Sequence, residues 1–154
     1  MELTLWLADI SYWYQSHKHD QGDALRSVLF SAPPAVFGPH LSDEQSKAIA
    51  CWLDGCLRLF QASRSTHPER ALGYLLYISS KLEQVASDIN TDIEIRDWCV
   101  KRLQHLTVLS LEFCNQQEGE QWLMQAHEII ECHVKLLNAI CWNESRKHDQ
   151  VIWH

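Results

Sequence analysis

Residues 66–94 read THPERALGYLLYISSKLEQVASDINTDIE. Within this stretch Leu75, Ile78, Leu82, Val85 and Ile89 recur at alternating steps of three and four. That is the apolar seam of a helix that packs against another helix. Both ends carry the spacing of a capping box, in which a hydroxyl and a carboxylate or amide three residues on satisfy each other's backbone N–H groups. Thr66 and Glu69 open this helix, with Pro68 tolerated in its first turn. Thr91 and Glu94 open the next.

The pattern extends to both sides. Upstream, Ser42 is placed to cap the N–H of Gln45, and Gln45 to reach back. Asp43 and Glu44 suit the positive end of the helix dipole. Ile49, Trp52, Leu53, Cys56, Leu57 and Phe60 make the buried stripe. Gly55 falls mid-helix at a cost near 1 kcal/mol relative to Ala, so a close neighbour is expected there. Downstream, the helix opened by Thr91 carries Ile95, Trp98, Cys99, Leu103, Leu106, Leu109 and Phe113. The turn Asn115 to Gly119 ends it. A last helix runs from about Glu120 toward Trp142, with Leu123, Ala126, Ile130, Val134, Leu137 and Cys141 expected inward.

The N-terminal third reads differently. Leu3 to Ser16 is apolar almost all round: Leu3, Trp6, Leu7, Ile10, Trp13 and Tyr14 share one face, and Leu5 and Tyr12 widen it. Such a helix is either central or packed on a partner. Gly22 breaks the chain before a short helix from Asp23 to Phe30. Ser31 to His40, with Pro33, Pro34, Gly38 and Pro39, is a loop. The expected fold is all-α: an up-and-down helical bundle of four long helices, about residues 42–64, 67–89, 92–115 and 120–143. One or two N-terminal helices pack on it, and residues 1–154 form a single helical domain.

Composition sets the outer limits. The five glycines and four prolines are too few for a turn-rich β fold. No apolar run approaches the roughly 20 residues of a membrane span. Met1-Glu2-Leu3-Thr4-Leu5-Trp6 lacks the basic lead of a secretory signal, so a cytoplasmic chain without membrane contact is expected. The six cysteines form no CxxC, and five sit beside large apolar residues, as reduced core thiols do.

The formal net charge of −7 is uneven. Ten acids lie between Glu83 and Glu131 against only Arg96, Lys101 and Arg102, whereas the rest of the chain is balanced. With no basic stripe for a phosphate backbone, direct nucleic-acid binding is not expected. An acidic half suits a basic partner, though it also serves as a solvated surface.

Chemical motifs are sparse. His127-Glu128-Ile129-Ile130-Glu131-Cys132-His133 holds metal-ligating residue types, but its histidines are six apart rather than four, and no Glu-x-x-His occurs. His17-Lys18-His19-Asp20 reads as an ordinary helix C-terminus. There is no G-x-S-x-G, no Walker A and no G-x-G-x-x-G. No catalytic residue, metal site or cofactor is therefore assigned. Segments 13–21 and 142–150 match at six of nine positions, which reads either as a duplicated recognition element or, the favoured reading, as shared helix-end chemistry and coincidence.

The expected function is a non-enzymatic protein-interaction module: a regulator, adaptor, chaperone or inhibitor. Its partner would be another protein with a basic surface, with a homodimer as a further possibility. The residues assigned to that contact are Trp6, Trp13, Glu112, Glu118, Glu120 and Trp153, because tryptophans anchor interfaces and acids select basic partners. One alternative is an acidic nucleic-acid mimic that blocks a DNA- or RNA-binding protein. Another is a small helical metal-binding protein or enzyme using His127, Glu131 or Cys132.

Overall fold

A computed structural model describes residues 2–16 and 22–152, with side chains placed through residue 140. The protein is an all-α helical bundle with its N-terminal helices packed on it. The described residues contain no strand. The helices are α1 (Leu3–Ser16), α2 (Asp23–Phe30), α3 (Asp43–Ser63), α4 (Pro68–Ser87), α5 (Ile93–Asn115) and α6 (Glu120–Ile152), with a 3-10 turn at Pro34–Phe37. Two compact units divide the chain, Met1–Cys99 and Val100–His154, and the division falls inside α5.

In the first unit α3 is the hub, touching α1, α2, α4 and the 3-10 turn. Its buried residues Ala48, Ile49, Trp52, Leu53, Cys56, Leu59 and Phe60 cover more than one face, because neighbours approach from several sides. Gly55 marks the tightest approach: a Cβ there would stand 2.8 Å from Leu29 Cδ2 of α2. The neighbour expected from the glycine is thus α2. Ser42 caps α3, accepting from the Gln45 N–H at 3.0 Å. The reciprocal half of the box does not form. Gln45 turns inward and donates Nε2 to the Val36 carbonyl at 2.9 Å, tying the 3-10 turn to α3.

The other two boxes are displaced by one residue. Pro68 occupies the first helical position of α4, where its missing N–H costs nothing, so His67 is the cap residue and makes no side-chain cap bond. In α5 the Asp92 carbonyl accepts from Ile95 and Arg96, while Thr91 is buried. The Asp92 carboxylate is occupied by the Leu41 N–H at 2.6 Å, and its own N–H bonds the Pro39 carbonyl. Arg96, buried, donates to Ala86 O at the end of α4. These bonds fasten the loop and the α4–α5 corner. Because α4 stops at Ser87, Ile89 is exposed rather than the last residue of its seam.

The N-terminal helices form a clasp over α3. Trp6 is fully buried and donates Nε1 to Val28 O of α2 at 2.9 Å. Tyr14 OH donates to Asp54 of α3 at 2.6 Å, and Arg58 Nε donates to the same carboxylate oxygen at 2.9 Å. Partial burial pushes the Asp54 carboxyl up, but these hydrogen bonds and the Arg58 charge outweigh it and hold the group below its ordinary value. Leu5 and Tyr12, expected to widen the buried face of α1, point outward.

In the second unit, Leu103, Leu106, Ser110, Phe113 and Cys114 are buried on α5, with Trp122, Ala126 and Ile140 on α6. Gly119, at φ 122°, takes the left-handed turn between the two helices. The rings of Phe113 and Trp122 meet edge to face at 5.8 Å. Ser110 and Thr107 satisfy their hydroxyls on carbonyls one turn back. The last helix, expected to end near residue 143, continues to Ile152.

Two buried indoles give a paired prediction. The Trp6 N–H is bonded, whereas Trp52 Nε1 is buried with no partner among the described residues. Both substitutions to Phe remove ring volume, but only Trp6→Phe also breaks a hydrogen bond. Trp6→Phe should therefore destabilise by about 1 kcal/mol more than Trp52→Phe in denaturant titrations. In the same assay Gly55→Ala should lose about 1 kcal/mol, because the clash with Leu29 exceeds the helix-propensity gain.

Candidate functional site

The residues assigned to a partner divide sharply. Trp6 is 0% and Trp13 is 9% exposed, so both indoles are core residues of the first unit. This corrects their assignment as docking anchors. The strong apolar character of α1 is used within the chain, against α2 and α3. Glu112, Glu118 and Glu120 are all exposed, around the α5–α6 turn. Trp153 lies outside the described residues, as do His17–Asp20 and most of the 13–21 segment; the side chains of 142–150 are also outside them.

The surface that sequence reasoning placed inside is on α6. Its inward face is Trp122, Ala126, Ile129, His133, Leu136 and Ile140, each buried or half-buried. Their steps are four, three, four, three and four. The face expected inward, Leu123, Ile130, Val134 and Leu137, has the same spacing and lies about 100° round the helix. Leu123 is 57% exposed, Ile130 44% and Val134 49%, with Leu137 half-buried. Met124, beside them, is 65% exposed. Two apolar seams therefore run along one helix, and of the expected residues whose side chains are described only Ala126 belongs to the buried one.

Acids predominate around the outward seam, with one exposed base, Lys135, between Val134 and Leu137. Between Arg102 and Lys135 the chain has five acids, Glu112, Glu118, Glu120, Glu128 and Glu131, and no Lys or Arg. All five are exposed. Glu120 occupies the first position of the outward seam, and Glu131 is adjacent to Ile130. His127 interrupts the apolar row between Leu123 and Ile130. On the inward face, burial pushes His133 down, favouring its neutral form.

The first unit offers a cleft of about 230 Å³ between α3 and the start of α5, lined by Leu41, Ile49, Ile95 and Trp98 with Gln45 and Glu94. Gln45 Oε1 is buried without a partner among the described residues. The acids of this unit are partly engaged by the chain itself: Asp92 binds Leu41 N, and Asp88 binds Asn90 N. Among the described residues no group of three or more His, Cys, Asp or Glu side chains is placed to hold a metal ion. No described helix is long and apolar enough to cross a membrane. No family model, curated protein or solved structure matches the chain.

The thiols sort by burial. Desolvation pushes both Cys56 and Cys99 up to about 12, and Cys132 is exposed on α6. An alkylating reagent at about pH 8 needs both access and thiolate. Site-resolved mass spectrometry should find Cys132 modified at least about tenfold faster than Cys56 or Cys99 in the native protein, and the difference should vanish in denaturant. Equal native rates would contradict the packing of α3 and α5.

Proposed function

We propose that the chain is a non-enzymatic interaction protein that engages another protein along the outward seam of α6. The observation that carries this reading is the row Leu123, Ile130 and Val134. These are three large aliphatic side chains, about half exposed, at the spacing of a helix-packing seam. An ordinary solvent face on a helix carries polar residues at such positions. Contiguous exposed apolar surface on a soluble chain marks interaction sites. The acids in and beside it, Glu120, Glu128 and Glu131, would favour a basic partner and speed encounter more than they tighten the final complex. Acting as a regulator, adaptor, chaperone or inhibitor would all be compatible with this mode of action.

The test compares the proteins captured from native cell extract by wild-type chain and by the double variant Ile130→Gln, Val134→Gln. Circular dichroism should show unchanged helicity for the variant, since both positions are exposed. A specific partner should be captured by wild type and lost by the variant, and purified partner should show the same difference. An identical set captured by both proteins would refute the seam as the binding surface.

A further inference from the structure

The outward seam also defines the shape and charge of what fits it. We infer that its occupant is a single amphipathic α-helix with an apolar stripe at three–four steps and lysine or arginine along its margin, a conclusion that rests on the interaction reading above.

Three observations converge. First, Leu123, Ile130, Val134 and Leu137, with Glu120 and His127 in the same series, follow the alternating three–four rhythm of a helix-packing row. That rhythm holds over about 21 Å of helix. A helix laid nearly parallel keeps contact along such a row, whereas a strand would match only one or two of its positions. The inward seam, offset by about 100°, already packs within the chain. The outward one accordingly sits where a further helix can lie alongside α6.

Second, the charge selects the occupant. The row from Glu120 to Leu137 is flanked by exposed Glu128 and Glu131 against one exposed base, Lys135, so its margin is net acidic. Glu120 lies in the row and Glu131 borders it. A second copy of this seam would bring its predominant acids together, relieved only at Lys135, while a cationic helix would place its ammonium or guanidinium groups against them.

Third, His127 breaks an otherwise aliphatic row in the middle. An imidazole is exposed there, between Leu123 and Ile130. A polar residue at one position of a seam favours the register in which it meets a polar group or water. The occupant would then carry a small or polar residue opposite it.

The experiment uses the full chain and labelled synthetic helical peptides of about 18 residues, long enough to cover the seam. One peptide has leucines at three–four steps flanked by lysines. A second has the lysines replaced by glutamates. Fluorescence anisotropy should show the cationic peptide binding at least about tenfold more tightly than the acidic one. Binding of the cationic peptide should fall by about tenfold or more for Ile130→Gln, Val134→Gln. It should also weaken for Ile130→Glu, Val134→Glu, although that variant is more negative. Binding to the glutamate variant as tight as to wild type would reveal mere charge attraction and overturn the inference. Equal affinity for both peptides would overturn the cationic partner while leaving the seam as a docking surface. If neither peptide binds, a helical occupant is refuted, whereas the capture experiment decides independently whether the seam binds protein at all. Sedimentation showing a wild-type dimer abolished by Ile130→Gln, Val134→Gln would assign the seam to a second copy instead.

Discussion

The first unit depends on one constraint: α3 must be approached closely from several sides at once. A helix can be surrounded only if some of its positions are small, and Ala48 and Gly55 supply them. Leu29 fills the space a Cβ at Gly55 would take, so α2 is held against α3 at a fixed point. The Trp6 indole then reaches past the core to bond the last turn of α2. Gln45 does the same for the 3-10 turn, at the expense of a buried oxygen without a partner among the described residues. That buried carbonyl and the unpaired Trp52 N–H are polar costs tolerated for the sake of close packing.

The helices were legible in the sequence because their periodicity is long and their connections are marked by Gly, Pro and capping residues. The spans of α1 and α2 and the cap at Ser42 follow directly. Starts were less certain where two signals overlapped. At the front of α4, Pro68 overrides the Thr66 spacing, and at α5 Asp92 supplants Thr91. The orientation of α6 was not recoverable, since its residues from Trp122 to Ile140 contain two interleaved series with one period. Hydrophobic rhythm identifies a helix but cannot choose between two equal faces. The weight of a tryptophan at Trp122 and the small Ala126 favour the face that was not selected, and only the packing reveals it.

A different signal misdirected the assignment of the contact surface. Aromatic density pointed to α1, where Trp6 and Trp13 are instead consumed by the core. The acids Glu112, Glu118 and Glu120 are where a surface role requires them, exposed near the α5–α6 turn. What the sequence could not disclose was that aliphatic residues close to those acids remain uncovered. Exposure is a property of packing and not of composition, so it has no signature in a single chain.

A bare aliphatic row has consequences for the chain's life before it meets anything. Such rows would favour clumping of free copies, and mutual repulsion of their carboxylates would oppose it. Carboxylates near the α5–α6 turn would thus double as a colloidal safeguard, one that thins as dissolved ions accumulate. Under the proposed docking mode the same few glutamates would serve solubility and recognition, and replacing them to alter one would disturb the other.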